Sequence, residues 1–433
     1  MQEVMQETAV VEEMRAPDRE SSSRKVKVAY TMSRFPKLTE TFILYEILAL
    51  EKMGLEVELF PLLRERQSVV HQEAEKMLTR AHFYPFYSLS ILCAHLFYIW
   101  HKPATYFKVL FEVFKGTFGS LNFFVGALGI YPKSVKMAYD MEKLGVDHLH
   151  AHFCTHPAVA ALIIKRLTGI PYSFTAHGSD LHVERRMLDK KIEQAAFCVS
   201  VSSFNKKVML EECGEGVRDK IEVVHCGVAV DEFIPASGSS KNGPFEIICV
   251  ASFEEVKGHQ YLVEACQILN EKGVDFRCHL IGYGPLKKKV SEHIRQLGLQ
   301  EKILVHKPMS RPEILERLAS ADVKILASVP TTRGKREGIP VVLMEAMACG
   351  LPVVSSQLSG IPELVEDGQT GILVAPRDVI GLANALLKLH QEPDVRQKMG
   401  KAGRTKVVAE FNLSKNAQRL SELFLEHLTE SKK

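Results

Sequence analysis

The sequence predicts an α/β protein of two doubly wound, Rossmann-like domains that face each other across a cleft. Short runs of β-branched and other apolar residues alternate with helical patterns along most of the 433 residues, and this alternation is typical of parallel sheets covered by helices. A polar stretch near the middle, IPASGSSKNGP at 234–244, interrupts the alternation, which then restarts. Because such sheets bind ligands at the carboxyl ends of their strands, we expect the functional site in the cleft.

The first domain is predicted over residues 25–233. Its strand candidates begin near residues 25, 55, 147, 172, 198 and 221. The preceding segment, residues 1–24, carries acidic residues throughout and lacks the apolar region of a secretory signal. We expect a disordered tail there.

The second domain is predicted over residues 245–410, after a linker at 234–244 in which Ser, Gly, Asn and Lys predominate. Its strand candidates begin near residues 245, 276, 303, 323, 352 and 371. Residues 411–433 have apolar side chains at helical spacing, which predicts a closing helix.

The first domain carries an aromatic and basic insertion at about 80–140. Residues 82–101, HFYPFYSLSILCAHLFYIWH, contain no Lys, Arg, Asp or Glu, but their histidines, serines and aromatic rings favour an interfacial element over a membrane span. We expect Phe97, Tyr98 and Trp100 to dock on an anionic membrane surface; the alternative is an internal helical insertion. Five lysines surround the stretch: Lys102, Lys108, Lys115, Lys133 and Lys136.

Composition excludes several classes of protein. The net charge of +3 is too small to indicate nucleic-acid binding. The nine cysteines form no C-x-x-C pair and no cluster at zinc spacing, which indicates reduced thiols of a cytosolic protein.

In HLHAHF, His150 and His152 alternate with apolar residues, which predicts a half-buried strand; with no third ligand nearby, we expect no metal there.

The segment EGIPVVLMEAMACGLPVV, residues 337–354, contains the most informative charges. Pro340 and Gly350 are suited to the start and end of a helix, and Glu345 lies among its apolar residues, about two turns inside. A carboxylate is costly there unless partners replace its water, and no Lys or Arg lies within four positions to form a helical pair. Glu337, eight positions earlier, lies in the loop that enters the helix.

This pair of glutamates resembles that of retaining glycosyltransferases of the GT-B fold, and its surroundings are similar to family GT4. The likeness covers nearly the whole chain from residue 26. The opening SRFPKLTETFILYEI, 33–47, is similar to a subgroup that builds bacterial exopolysaccharides of the colanic-acid type. Seven motifs occur in the family's order: TAHGSD (175–180), VVHCGVAVDEF (223–233), VKGHQYLVEA (256–265), GYGP (282–285), EGIPVVLMEAMACGLPVV (337–354), SGIPELV (359–365) and DGQTGILV (367–374).

The resemblance implies a role for each matching residue. Glu345 would accept hydrogen bonds from the two ribose hydroxyls of the donor nucleotide, and Glu337 would hold hydroxyls of the transferred sugar. His177 would approach the sugar and the reaction centre, and Lys257 would neutralise the departing diphosphate. Backbone amides where loops enter helices would add phosphate contacts, namely those of Gly338, Ile339 and Gly360.

Two departures from the family pattern have consequences. The family commonly has Arg five positions before the lysine, where this chain has Ser252, and a nearby basic run could supply the missing charge: Arg333, Lys335 and Arg336. Many relatives carry a Gly-Gly pair in the N-terminal loop, whereas Thr39, Glu40 and Thr41 would here face the cleft at a helix start or cap that helix.

The implied reaction is a retaining, metal-independent transfer of a sugar from a UDP- or GDP-sugar to a polyprenyl-linked or oligosaccharide acceptor, without a cofactor. No D-x-D occurs, so the divalent-metal donor site of the other large glycosyltransferase fold has no candidate. A lipid-linked acceptor would place the enzyme at the cytoplasmic face of the cell membrane. Two alternatives remain open: a sugar-nucleotide 2-epimerase of the same fold and a non-catalytic nucleotide-sugar binding protein, which donor turnover with an acceptor would distinguish.

Overall fold

The computed structural model describes residues 24–37, 40–65, 72–235 and 243–430, and the fold is given for these residues. Most of the predicted tail and most of the predicted linker lie outside them, as does Thr39. Arg24, at the start of the described chain, donates a hydrogen bond to the carbonyl of Gly145 and lies 3.4 Å from the Asp147 carboxylate.

The first domain is built on a six-stranded parallel sheet in the order β3-β1-β5-β6-β7-β8. A short parallel pair, β2 with β4, lies outside that sheet. The elements of this part of the chain are β1 Lys27–Thr31, β2 Arg34–Phe35, α1 Thr41–Lys52, β3 Glu56–Leu59, β4 Leu63–Arg64, α2 Gln72–Leu78, α3 Leu89–His101, α4 Pro103–Thr117, α5 Leu121–Leu144, β5 His148–His152, α6 His156–Thr168, β6 Tyr172–Ala176, α7 Ser179–His182, α8 Leu188–Gln194, β7 Cys198–Ser200, α9 Ser203–Cys213 and β8 Ile221–Val223.

The second domain repeats the architecture with a six-stranded parallel sheet in the order β11-β10-β9-β12-β13-β14. Its core of Val, Ile, Leu and Met side chains lies between this sheet and the surrounding helices. The elements are β9 Phe245–Val250, α10 His259–Glu271, β10 Phe276–Ile281, α11 Lys287–Gln296, β11 Ile303–His306, α12 Arg311–Ser320, β12 Val323–Leu326, α13 Val341–Ala348, β13 Val353–Ser356, α14 Ile361–Leu364, β14 Gly371–Val374, α15 Val379–Gln391 and α16 Pro393–Glu410.

Helix α17, Leu413–Glu430, returns the chain to the first domain. Its Leu420, Leu423 and Phe424 are at most 2 % exposed and pack in the same hydrophobic cluster as Ile47 of α1 and Phe197. Each such side chain contributes roughly 1.5–3 kcal/mol on burial, so this helix ties the end of the chain to the first sheet.

Strand β5 corrects one prediction. All five of its residues are buried, including His148, His150 and His152. The strand is central in a parallel sheet that helices cover on both faces, so neither face meets water. The alternation of histidine with apolar residues therefore does not mark a half-buried strand here.

Helices α3, α4 and α5 carry an unusual amount of exposed apolar surface. On each helix the exposed apolar side chains recur three or four positions apart and so form a stripe. These side chains are Leu89, Leu92, Leu96 and Trp100 on α3, Phe107 and Phe111 on α4, and Leu121, Val125 and Leu128 on α5.

The structure corrects which residues of this insertion are available at the surface. Trp100 is 85 % exposed, but Tyr98 is fully buried and donates a hydrogen bond to Glu142 Oε2 at 2.5 Å, and Phe97 is half-buried against Tyr139. The sequence could not distinguish these neighbours, because the side of α3 that packs on α5 decides their burial.

The lysines of the insertion also differ from expectation. Lys133 is buried and donates to the Leu62 carbonyl, Lys102 donates to the Leu167 carbonyl, and Lys136 pairs with Asp140. Of the five lysines, Lys108 and Lys115 on α4 are exposed. Among the described residues, no helix combines the length and apolar character that crossing a bilayer requires.

Candidate active site in the cleft

A cavity of about 450 Å³ lies between the carboxyl ends of the two sheets, a volume in the range of small-molecule sites. Both domains contribute to its wall. The lining residues include Glu40, Thr41, Phe42, Phe153, His177 and Cys226 from the first domain, and Ser252, Lys257, Arg311, Lys335, Arg336, Glu337, Gly338, Ile339 and Glu345 from the second.

Glu345 is half-buried in this cavity, just over one turn inside α13 rather than two, because the helix begins at Val341. Gly350, which follows the helix, has φ 74°, a value that favours glycine. Burial raises the pKa of the Glu345 carboxyl, and the charges of Lys324 and Arg311 oppose that rise. Tertiary structure thus supplies the positive charge that no residue of the helix itself provides.

Lys324 on β12 is a neighbour that sequence reasoning missed. Its side chain is fully buried, and within the described residues its Nζ has no hydrogen-bond partner. Burial lowers the pKa of this ammonium, while the Glu345 carboxylate favours its charged form. A lysine in a predicted buried strand is the signal that was available, since such a charge is rarely buried without a partner.

Lys257 and Glu337 form an ion pair on the same wall, with Nζ 2.7 Å from Oε1. Lys257 ends a short 3₁₀ turn, and Gly258 follows with φ 64°. A Cβ at Gly258 would lie 1.8 Å from the Ala327 carbonyl oxygen, so only glycine allows this turn to place the lysine.

His177 brings the first domain into the site. Its ring centroid lies 4.7 Å from that of Phe42 and 4.8 Å from that of Phe153, and its Nε2 lies 3.0 Å from His152 Nδ1. Burial, and then the neighbouring His152, lower the pKa of His177 well below its ordinary value, so the ring is neutral at pH 7.

Gly338 lies directly against this histidine. A Cβ at position 338 would be 2.2 Å from the His177 carbonyl oxygen, and one at Gly178 would be 3.0 Å from the Gly338 Cα. The two domains therefore meet here through glycine backbone, and both His177 and Glu337, which flank this contact in the sequence, line the cavity.

The basic run after β12 contributes unevenly. Lys335 and Arg336 line the cavity, whereas Arg333 is exposed and is not among the lining residues. Lys335 Nζ lies 2.6 Å from Glu254 Oε2, and Ser252 Oγ donates to Glu254 Oε1 at 3.2 Å. Ser252 thus stands beside the lysine predicted to replace the missing arginine, with Glu254 between them.

The predicted N-terminal loop lies partly in the site. Glu40 and Thr41 line the cavity at the start of α1, and Thr39 is outside the described residues. Glu40 pairs with Lys37 and, although it occupies the N-cap position of α1, makes no side-chain hydrogen bond that caps the helix. Burial raises the pKa of the Glu40 carboxyl, and Lys37 opposes the rise.

The structure separates one of the three predicted backbone contacts from the other two. Ile339 lines the cavity with Gly338, but Gly360 is not among the lining residues and packs against Ser202 of the first domain. Nearby, the Glu363 carboxylate accepts hydrogen bonds from the amides of Ser203 and Phe204 at 2.8 Å. The segment around Gly360 therefore joins the domains beside the cavity.

His150 and His152 have an acidic neighbour that the sequence did not reveal. Glu46 of α1 brings a carboxylate oxygen near both, and the three donor atoms lie within 4.8 Å of one another. Both ring nitrogens of His150 are already bonded, Nδ1 to Ser173 Oγ at 2.8 Å and Nε2 to Thr175 Oγ1 at 2.9 Å. The cluster is thus arranged as a hydrogen-bond network within the sheet.

Comparison with known families agrees with the motifs. Residues 39–232 match Glycosyltransferase Family 4, and residues 230–406 match Glycosyl transferases group 1, so the two matches together span both domains.

Among curated relatives, the chain is 42 % identical over 198 residues to WcaL of Escherichia coli K12, provisionally assigned as a colanic acid biosynthesis glycosyltransferase; the match covers 45 % of this chain and 48 % of WcaL. It is 40 % identical over 208 residues to the amylovoran biosynthesis glycosyltransferase AmsK of Erwinia amylovora, which covers 47 % of this chain and 50 % of AmsK. The chain thus spans about half the length of these relatives.

Solved structures show the fold. A glycosyltransferase from Rickettsia africae ESF-5 superposes with a TM-score of 0.68 at 20 % identity, over 94 % of this chain and 99 % of that one. Anabaena Alr3699/HepE in complex with UDP superposes with a TM-score of 0.67 at 15 % identity, over 92 % and 98 %. The predicted fold of two Rossmann-like domains in the GT-B arrangement is confirmed, and so is the family resemblance.

Proposed function

The chain belongs to the family 4, group 1 glycosyltransferases, and from that membership and the cleft geometry we propose that it transfers a sugar from a UDP- or GDP-sugar to a hydroxyl acceptor with retention at the anomeric carbon. One observation carries the proposal: the Lys257–Glu337 ion pair and the half-buried Glu345 share one wall of a single cavity. The binding of UDP by the structurally similar HepE supports a nucleotide in the cleft.

The ion pair suggests how the donor enters. Before binding, the Glu337 carboxylate balances the Lys257 ammonium at 2.7 Å. A diphosphate would compete for that ammonium and release the carboxylate to accept hydrogen bonds from sugar hydroxyls. Glu345, eight residues further along the chain, would accept from the vicinal ribose hydroxyls, which replace its missing water.

The leaving group requires positive charge, because a departing nucleoside diphosphate gains negative charge as its bond to the sugar breaks. Lys257 lies next to Glu337, and Lys335 and Arg336 lie on the same wall. We assign leaving-group stabilisation to these protein cations and no metal to the donor site. The acceptor hydroxyl attacks the face from which the diphosphate departs, and a departing oxygen takes its proton.

The test is a screen of UDP- and GDP-sugars for transfer, with the anomeric configuration of the product read by NMR. We expect one nucleotide series to bind and turn over, with retained configuration. An inverted product would refute the stereochemical assignment, and the absence of binding by both UDP and GDP would refute the donor site. Donor turnover that yields an epimer without transfer would favour an epimerase.

The acceptor side points to a lipid surface. Phe118 and Leu121, 74 % and 81 % exposed, flank a turn whose Gly119 carbonyl accepts from Arg186 and whose Ser120 hydroxyl donates to Glu184. The two partners of this turn, Glu184 and Arg186, come shortly after α7, and α7 begins two residues after His177 at the cleft. The exposed apolar stripes of α3–α5 therefore approach the cleft wall formed by the first domain.

We propose that these stripes dock on the cytoplasmic face of the membrane and present a polyprenyl-linked acceptor, in a pathway for exopolysaccharide like those named for WcaL and AmsK. Apolar burial is the larger contribution. With Lys108 and Lys115 exposed, charge adds about 1 kcal/mol per lysine on an anionic surface, less than five exposed lysines would give.

Co-sedimentation of the full chain with vesicles tests the docking. Replacing Leu96, Trp100, Phe111 and Leu121 together by serine should abolish most binding, whereas a control that replaces the exposed Ile380 and Leu425, remote in the sequence, should keep it. Anionic vesicles should bind more than neutral ones, and salt should weaken the difference. Absence of binding to both vesicle types would favour a soluble oligosaccharide acceptor.

A further inference from the structure

A line of hydrogen-bonded side chains leads from the cleft into the first domain. His177 Nε2 lies 3.0 Å from His152 Nδ1, and His152 Nε2 lies 3.1 Å from Glu46 Oε1. Tyr30 donates its hydroxyl to the same carboxylate oxygen at 2.8 Å. The line joins β1, α1 and β5 to the loop after β6, and its last member faces the reaction cavity.

The chemistry of these groups fixes the direction of each hydrogen bond. An ionised carboxylate only accepts, so His152 must carry a proton on Nε2. When this is the only proton on His152, its Nδ1 has a lone pair, and His177 Nε2 is then the donor of the bond between the two rings. Because a neutral imidazole carries one N–H, His177 is left with a bare Nδ1.

The unprotonated nitrogen points to the cavity side of the ring. His177 Nδ1 lies 3.8 Å from Cys226 Sγ, and both residues line the cavity. Burial raises the pKa of the Cys226 thiol, so the sulfur keeps its proton and is at most a weak donor to that nitrogen. A substrate hydroxyl is a stronger donor and would displace this contact.

The ring has little freedom to turn. His152 stacks on it with an interplanar angle of 26°, and Phe42 and Phe153 pack on it from the cavity wall. His152 itself is fully buried, and both of its nitrogens are bonded. Packing fixes the position of each ring, and the carboxylate at the far end fixes which nitrogen carries the proton.

We propose that Glu46 and His152 are positioning residues that hold His177 in its Nε2–H tautomer, so that Nδ1 faces the cleft as a hydrogen-bond acceptor for a substrate hydroxyl. The part that concerns substrate rests on the proposed function, because it takes the cleft as the reaction site. The tautomer itself is a property of the free protein.

The polarity of the line can be reversed by one atom. In Glu46→Gln the side-chain amide can donate to His152 Nε2, which moves the His152 proton to Nδ1. That ring then donates to His177 Nε2, and the His177 proton moves to Nδ1. The cleft would meet a donor in place of an acceptor, with almost no change in shape.

Two-bond ¹H–¹⁵N spectra of histidine-labelled full-length protein measure this directly. The chain has 17 histidines, and difference spectra of His177→Gln and His152→Gln assign the two rings. We expect the Nε2–H tautomer at His177 in the parent and a shift towards Nδ1–H in Glu46→Gln. An Nδ1–H tautomer or an imidazolium at His177 in the parent, or an unchanged tautomer in folded Glu46→Gln, would overturn the proposal.

Kinetics test the consequence. Glu46→Gln should lower kcat by about tenfold or more while leaving the Kd for the free nucleotide within about twofold. Glu51→Gln, on the same helix and paired with Arg80, is the matched control and should keep parental values. A changed tautomer with unchanged kcat would overturn the catalytic part alone. An inactive parent with the expected tautomer would refute the proposed function and leave the hydrogen-bond line intact.

Discussion

The two domains use the same stretch of a shared topology for different purposes. In the second domain, edge strand β11 is followed by the 10-residue helix α12 before the chain enters the sheet again at β12. In the first, the corresponding edge is reduced to a single parallel bridge between Leu59 and Ala81, and α3, α4 and α5 follow with 13, 15 and 24 residues. One crossover contributes Arg311 to the cleft, and the other forms an exposed apolar surface.

The difference extends to the cleft walls. The second domain contributes most of the charges, among them Lys257, Glu337 and Glu345, whereas the first contributes mainly rings and a thiol, with Phe42, His177 and Cys226, beside the Lys37–Glu40 ion pair. A wall rich in charge suits a nucleoside diphosphate, and a wall rich in hydrogen-bonding and apolar groups suits sugar hydroxyls and a lipid-linked acceptor. The comparison predicts that substitutions in the two walls fail in different ways.

The largest effect is expected at Lys257, because it is the cation closest to the Glu337 carboxylate. Lys257→Ala should lower kcat/KM by about 10²–10³-fold, as removal of one preorganised transition-state donor commonly does. Steady-state kinetics with the identified donor measure it. Lys288→Ala, exposed on α11 of the same domain, is the control, and a Lys257→Ala enzyme within threefold of the parent would contradict the charged-wall assignment.

The next effect separates binding from turnover. Glu345→Ala should raise the Kd for UDP or GDP by about 10–100-fold, since hydrogen bonds to a charged group contribute about 1.5–3 kcal/mol. His177→Ala should leave that Kd within about twofold and lower kcat. Calorimetry gives the affinities, and equal loss of nucleotide affinity in both variants would end the division of labour between the walls.

A second substitution at the same position guards against a folding defect. Glu345→Ala leaves Lys324 buried without its neighbouring carboxylate, which is destabilising in itself. Glu345→Gln keeps the shape and one acceptor oxygen, and we expect it to bind nucleotide with intermediate affinity.

What the sequence could predict was local in the chain. The strands, the helix that carries Glu345 and the motifs around Lys257 and Glu337 each depend on patterns within a few residues. The link from Glu46 to His152 joins side chains 106 positions apart, and Lys324 meets Glu345 only because β12 and α13 are packed together. Glu46 lay inside the motif SRFPKLTETFILYEI, but no pattern within that motif indicates the histidine it would contact.

The same limit explains why the sequence misjudged which aromatic side chains of the insertion are exposed. Composition identified an aromatic segment without charge, but Tyr98 and Trp100 have similar chemistry and opposite burial. Their exposure depends on how α3 is rotated against α5, a tertiary contact that hydropathy does not encode.

Acid should separate the domains by stability. Burial lowers the pKa of His148 to about 3, and it also lowers the pKa values of His150 and His177 in the first domain. Below about pH 6.5 these histidines become protonated in the unfolded state but stay neutral in the folded state. The stability of the fold is therefore unaffected by them above about pH 6.5, and it decreases as the pH falls towards their folded-state pKa values. Each such ring then costs up to about 2 kcal/mol by about pH 5.

Hydrogen exchange of peptides from the two sheets measures the separation. Between about pH 7 and about pH 5, protection should fall more in β5 and β6 than in β9 and β10. In the second domain the main buried histidine is His259, at the start of α10, whose pKa burial lowers to about 4. His148→Gln should flatten the pH dependence in the first sheet, and the exposed His101→Gln should not. Equal loss of protection in both sheets would contradict the prediction.

The smallest effect is expected in the basic run of the second domain. Lys335 and Arg336 line the cavity, whereas Arg333 does not, although the sequence alone treats the three alike. Arg336 is exposed and Lys335 is already paired with Glu254. Each of them should therefore contribute about 1 kcal/mol or less to the free energy of diphosphate binding. The Lys335→Ala/Arg336→Ala variant should therefore bind UDP or GDP about three- to tenfold more weakly than the parent. Raising the salt concentration should shrink the difference, because exposed charges are screened.

Arg333→Ala is the matched control and should bind the nucleotide as the parent does. If Arg333→Ala weakened nucleotide as much as the double variant, the effect would come from the general positive field of the loop, and the charged wall would extend beyond the cavity that the structure defines.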